Sequence, residues 1–298
     1  MSVPTSRTSA AALLACLLVA AAATEAASYR LPEGGEDVIG ASISLTLAYE
    51  DTFAGVAQQF GVGYQELVDA NPGVDPWLPG DGARIVMPTA YVLPSAPREG
   101  IVINVAEYRL YYYPPGRGSV ITFPVGVGRM DFPTPLISTK VVTRIENPSW
   151  TPTDAARREH AEMGDPLPHV VPPGPDNPLG HLAIQLSAPG YFIHGTNKPF
   201  GVGQGVSHGC VRLYPGHIET LSELVPNGTP VYIVNEPYKV GWRDGELWIE
   251  AHRNLYGENQ ASELVALIVD ATEKRDASVD WRRVDEVSAA LTGIPVRL

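Results

Sequence analysis

The chain has 298 residues, 44% of them apolar, which is enough for a packed domain with one or two small units and excludes global disorder. Its 29 Gly and 28 Pro suit a turn-rich β fold better than a helical one. The net charge is −12 with no block of Lys or Arg, which argues against nucleic acid as a partner, because phosphate binding takes clustered cations.

Residues 10–23 form an unbroken apolar stretch after Arg7, ending in Ala21-x-Ala23. That is too short to span a bilayer and fits the h-region and cleavage site of a signal peptide over residues 1–23. Leu13-Leu14-Ala15-Cys16 offers a looser alternative, a lipoprotein leader. With the leader gone, Cys210 is the single cysteine left. An exported protein with one thiol has no internal disulfide, so Cys210 is inert and buried, intermolecular, or reactive.

A small βααβ unit is expected over residues 41–89. Ile43, Leu45 and Leu47 alternate as a strand. Asp51 or Thr52 caps a helix whose Phe53, Val56, Ala57 and Phe60 make one apolar stripe, ended by Gly61. A second helix over 64–70 stops at Asn71-Pro72, and a second strand covers 84–87. Residues 90–99, with Pro94 and Pro97, read as a linker. Strands then crowd together over 101–105, 108–113, 120–125, 138–144, 181–186, 191–194 and 231–234, with a helix over 216–225. This pattern implies a sandwich or barrel over residues 100–235. Residues 146–180 are rich in proline and read as a long loop, either a lid or a disordered insert. Residues 236–298 read as a small α/β appendage with one strand and two helices.

The chemistry concentrates in "YFIHGTNKPFGVGQGVSHGCVRL", residues 191–213. A thiol becomes a good nucleophile as the thiolate, and an imidazole can take its proton and return it to a leaving amine. His194 ends an apolar strand, and His208 lies two residues before Cys210. Gly201, Gly203 and Gly205 let the backbone fold back between them. Gly209 permits a tight turn before the sulfur, where backbone N–H groups could face an oxyanion. Arg212 falls on the same strand face as Cys210 and could hold a carboxylate. Pairing with His194 would pull the thiol pKa below its free value of about 8.5. Three other readings fit the same residues: a buried core pair, a zinc site of His194, His208 and Cys210, and a nucleotide loop.

His194-Gly195, a glycine-rich gap and Ser207-His208-Gly209-Cys210-Val211-Arg212 resemble the catalytic motif of the YkuD family of L,D-transpeptidases. "GIVINVAEYRLYYYPP" at 100–115, "FPVGVGR" at 123–129, Thr134-Pro135 and "PPGPDNPLG" at 172–180 resemble its ErfK/YbiS subgroup. "VAQQFGV" at 56–62, "LVDANPG" at 67–73 and "LPGDGARIVMP" at 78–88 resemble a LysM unit, which implies binding to the glycan of peptidoglycan. Two departures stand out: Tyr214-Pro215 replaces a polar residue common in relatives, and Leu136-Ile137 follows Thr134-Pro135 where a glycine is common.

The resemblance implies a mainly β, sandwich-like catalytic domain and a periplasmic enzyme that needs no metal or cofactor. Cys210 would attack the carbonyl of the third residue, meso-diaminopimelate, of a tetrapeptide stem. D-Alanine would leave and a thioester would form. An amine would resolve it, either a diaminopimelate side chain or a lysine of an outer-membrane lipoprotein. His194 would be the base, His208 would orient groups, and the N–H groups of Gly209 and Cys210 would stabilise the oxyanion. Gly195, Ser207 and Arg212 would bind substrate.

Overall fold

The computed structural model describes residues 26–298, so the leader expected over residues 1–23 lies outside the described residues. The first seven elements are β1 (Ala27–Arg30), which joins the edge of the main sheet, then β2 (Val38–Gly40), β3 (Ile43–Thr46), α1 (Phe53–Phe60), α2 (Tyr64–Ala70), β4 (Arg84–Met87) and β5 (Ala90–Val92). β3 pairs antiparallel with β4, Ile43 opposite Met87. The Thr52 hydroxyl accepts the Gly55 N–H at 3.2 Å and starts α1; Gly61, at φ 63°, ends it. Phe53, Val56 and Ala57 are buried with Leu47, Val62, Leu67, Ile85 and Met87. Phe60, the fourth member of the expected stripe, is 45% exposed. The expected linker over 90–99 begins instead as structure. β5 pairs with β2, the Leu93 N–H reaches the Asp37 carbonyl at 2.9 Å, and residues 90–94 are buried.

The next elements are β6 (Gly100–Asn104), β7 (Arg109–Tyr113), β8 (Ser119–Pro124), β9 (Val127–Gly128), β10 (Ser138–Glu146), α3 (Asp154–Glu162), β11 (Leu182–Leu186), β12 (Phe192–His194), β13 (Gly205–Ser207), β14 (Val211–Arg212), α4 (Pro215–Leu224) and β15 (Pro230–Val234). Nine strands form one mixed sheet in the order β1-β8-β7-β6-β15-β10-β11-β12-β14. Neighbours are antiparallel except β6–β15 and β12–β14. β6 and β7 are buried on both faces. Ile101, Ile103, Leu110 and Tyr112 enter one core, and Val102, Tyr111 and Tyr113 enter another. Such strands are apolar throughout rather than alternating. Phe123 of β8 and Val211 of β14 share one core with Ile218 and Leu221 of α4. Residues from far-apart strands can share a core only if the sheet folds over on itself. The Gly126–Arg212 bridge, with both N–O distances 2.8 Å, fastens the fold there.

Residues 146–180 are ordered rather than a bare loop. Thr153 caps α3, and Trp150 bridges Val171. Buried Asn177 donates to the Pro148 carbonyl at 2.7 Å and the Pro172 carbonyl at 3.1 Å, tying the proline-rich ends together.

The C-terminal part contains β16 (Tyr238–Arg243), β17 (Glu246–Ala251), α5 (Ala261–Lys274), α6 (Trp281–Ala290) and β18 (Val296–Arg297). β16, β17 and β18 form a meander covered by Leu264, Ile268, Val284 and Val287. Buried charges join this part to the rest: Lys239 Nζ lies 2.6 Å from Glu107 and 2.9 Å from Glu250. A second buried pair joins α2 to β7, where Arg109 Nε donates to Glu66 at 2.8 Å. No helix among the described residues is long and apolar enough to cross a membrane.

Candidate active site

The parallel register of β12 and β14 builds the site. Ile193 opposes Val211, and His194 opposes Arg212. Ile193 and Val211 are core residues, so strand alternation sends His194 and Arg212 to the other face together, and Cys210 immediately precedes β14. Positions eighteen residues apart in sequence thus become neighbours across two strands.

His194 is 3% exposed, and its Nδ1 lies 2.6 Å from the Gly195 carbonyl, a contact that puts a proton on Nδ1. Burial and the Arg212 cation push its pKa down to about 4, while the Gly195 and Leu179 carbonyls oppose them. The imidazole is therefore neutral at pH 7. Burial also raises the Cys210 pKa, against a backbone bond from Phe192 and the Arg212 charge. This reverses the expected fall: desolvation outweighs the nearby donors, and the neutral imidazole supplies no positive charge. The thiol points at the Gly190 carbonyl, with Sγ 3.7 Å from its oxygen.

The turn before the sulfur requires glycine. Gly209 has φ +102°, and a Cβ there would meet Tyr191 Cε1 at 3.1 Å. The Ser207 hydroxyl donates to the Cys210 carbonyl at 2.6 Å and accepts the Gly209 N–H at 3.1 Å. Ser207 thus shapes the loop and engages one of the two N–H groups expected to face an oxyanion, that of Gly209.

Arg212 lies against Gly201, where an added Cβ would come within 2.5 Å of Nη1. Its buried Nε has no hydrogen-bond partner among the described residues. Burial lowers the Arg212 pKa, and Cys210 is the acidic group that counters it.

His208 serves a different contact from the one its spacing suggests. Its Nε2 lies 2.9 Å from Glu159 of α3, and its ring stacks on Phe132 with centroids 4.4 Å apart. Arg129 holds the same carboxylate through two bonds of 2.7 Å. His208 therefore orients the α3 segment rather than joining His194 and Cys210 in a metal-ligand set. Among the described residues, the group of three donors close enough to share a metal is Glu107, Glu250 and His252, and Lys239 already fills the cation position between its carboxylates.

Three contributors escaped the sequence reading. Glu159 lies in a helix with no apolar stripe. Thr134 donates its hydroxyl to the Gly209 carbonyl at 3.0 Å, and Tyr256 reaches Thr134 from the C-terminal part. Thr134 had a signal in Thr134-Pro135; Tyr256 had none. The N-terminal unit also touches the glycine loop, where the Gln65 N–H donates to the Gly203 carbonyl at 3.1 Å.

Residues 98–233 match the family model of the YkuD L,D-transpeptidase catalytic domain. The chain is 40% identical over 282 residues to probable L,D-transpeptidase YcfS of Escherichia coli (strain K12), covering 91% of this chain and 88% of the relative. It is 40% identical over 294 residues to probable L,D-transpeptidase ErfK/SrfK of the same organism, covering 95% and 94%. The NMR structure of the catalytic domain from an E. faecium L,D-transpeptidase overlays with a TM-score of 0.34 at 22% identity, over 45% of this chain and 95% of that one. With two relatives alike along nearly their whole length, the chain belongs to the YkuD family of L,D-transpeptidases.

Proposed function

We propose that the chain is a periplasmic peptidoglycan L,D-transpeptidase with Cys210 as its nucleophile. The observation that carries this reading is the parallel pairing of His194 with Arg212, with Cys210 two residues before Arg212, immediately ahead of the same strand. Cys210 attacks the carbonyl of the third stem residue, meso-diaminopimelate. A neutral thiol and a neutral imidazole suit this step. The proton moves to His194 as sulfur attacks, and the imidazolium returns it to the departing D-alanine amine. The Cys210 N–H faces the developing oxyanion. Arg212, short of acidic partners, supplies the cation for a stem carboxylate.

An amine then takes the acyl group from sulfur. A diaminopimelate side chain gives a 3–3 cross-link; a lysine of an outer-membrane lipoprotein gives an anchored protein. The likeness to ErfK/SrfK supports the same class of acyl transfer. The unit over residues 41–89 serves as a LysM-like glycan binder, supported by its β3-α1-α2-β4 order, and the catalytic segment spans residues 100–235.

Intact-mass and muropeptide analysis with tetrapeptide stems tests this, with and without a lipoprotein acceptor. The full chain should gain the mass of an acylated tripeptide, release D-alanine and form the amide product, while C210A should do none of these. Tripeptide as the sole product would overturn transfer in favour of hydrolysis.

A further inference from the structure

We propose that Tyr256, contributed by the C-terminal part of the chain, is a positioning residue that aims the oxyanion donor at Cys210. This rests on the reading of Cys210 as the acylated nucleophile. The connection consists of two hydroxyls, each with one proton to give. The Tyr256 hydroxyl donates to the Gly128 carbonyl at 2.9 Å and accepts the Thr134 N–H at 2.9 Å. The Thr134 hydroxyl donates to the Gly209 carbonyl at 3.0 Å and accepts the Gly128 N–H at 2.8 Å. Both protons and all four backbone groups are accounted for.

The last bond matters most. The Gly209 carbonyl and the Cys210 N–H belong to one peptide plane, and in a trans peptide they point in opposite directions. Holding the carbonyl toward Thr134 therefore turns the Cys210 N–H away from it. The Ser207 hydroxyl holds the next carbonyl, that of Cys210, at 2.6 Å. The donor's direction is thus set by two hydroxyls outside the His194–Cys210 pair, and Thr134 is itself held by the phenol.

The sequence near Tyr256 is built to hold the ring there. The Asn254 N–H donates to Asn259 Oδ1 at 2.8 Å, the Tyr256 N–H donates to Asn254 Oδ1 at 3.2 Å, and Asn259 Nδ2 donates to the His252 carbonyl at 2.8 Å. Leu255 packs on Gly205, whose added Cβ would lie 3.3 Å from Leu255 Cδ1. Gly128 has no space for a side chain, since a Cβ there would fall 2.3 Å from the Phe132 carbonyl oxygen and 2.5 Å from the Thr134 nitrogen. Burial raises the Tyr256 pKa, so the phenol keeps the proton it donates.

The test compares two reagents on the full chain. p-Nitrophenyl acetate acylates sulfur through an oxyanion; iodoacetamide alkylates it by direct displacement and forms none. Y256F and T134V should lower the acylation rate about tenfold, less than deleting an oxyanion donor outright. Their iodoacetamide rates should stay within about twofold of the unsubstituted protein, because the thiol and its pKa are untouched. T134S keeps the hydroxyl and should acylate like the unsubstituted protein. Unchanged acylation in Y256F overturns the proposal. So does a parallel fall in both rates, which would mean that the ring merely holds the loop together. The proposed function fails separately, if the unsubstituted protein reacts with both reagents but leaves tetrapeptide stems intact.

Discussion

The backbone of Gly203 lies directly on that of Gly63. A Cβ added to Gly203 would come within 2.4 Å of the Tyr64 nitrogen and 2.5 Å of Gly63 Cα, and its φ is already +78°. The N-terminal unit thus presses on the loop that leads to Cys210 without a side chain between them. Tyr214 adds a bond across the same seam, from its hydroxyl to the Val62 carbonyl at 3.3 Å.

G203A should therefore destabilise the protein by about 2–3 kcal/mol, from overpacking and a left-handed backbone together. Urea denaturation measures this. A G203A protein as stable as its parent would mean that the two backbones do not meet.

Removing the Arg212 charge should move two pKa values upward. Arg212 lowers the pKa of His194, now about 4, and also lowers that of Cys210. In R212Q the acid limb of a p-nitrophenyl acetate pH–rate profile should shift to higher pH, and the alkaline rise in iodoacetamide reactivity should shift to higher pH too. The His194 shift also affects stability. Below the ordinary value of 6.5 and down to about 4, the unfolded histidine binds a proton that the folded one refuses, so stability falls as pH falls through that window. R212Q should narrow the window from its lower end.

Glu159 ties α3 to His208 and Arg129, and Arg129 is the main reason its pKa falls from 4.5 to about 2. A carboxylate lowered in this way contributes fully above pH 4.5, and its contribution disappears as pH falls toward 2. E159Q at pH 7 should free the helix without unfolding the core. Trypsin should then cut after Arg157 or Arg158 several times faster, with the melting temperature little changed. Equal cleavage rates in the two proteins would show that the tie does not hold α3.

Lys239 is buried between Glu107 and Glu250. K239M leaves two buried carboxylates without their cation, and removing one side of such a pair costs about 3–5 kcal/mol. The loss should appear in denaturant unfolding as a lower midpoint.

Much of this molecule was readable from short-range pattern. The 64–70 helix and the 84–87 strand fall where their caps and apolar spacing place them. The strand ending at His194 was likewise readable from its apolar run, Tyr191-Phe192-Ile193. Long-range pairings were not readable, because they depend on which strands meet. Nothing local pairs Ala27 with Thr122 or fastens Gly126 to Arg212. The α3 helix was missed because Ala156 is its one buried residue, so it carries no apolar stripe. The partner of His208 was hidden for a related reason: its proximity to Cys210 in sequence was visible, but Glu159, which contacts its ring, lies on a helix that the pattern did not reveal. The fall expected for the Cys210 pKa failed because burial cannot be read from neighbouring residues alone.

The charge cluster at Lys239 bears on how such a protein can be rearranged by evolution. A cut after residue 235 falls just beyond the residues that match the family model. In the fold that cut removes the cation from Glu107 and the phenol from Thr134. The catalytic segment is not a portable cassette. Any lineage that exchanges its C-terminal part must inherit a new counter-ion for Glu107 in the same step.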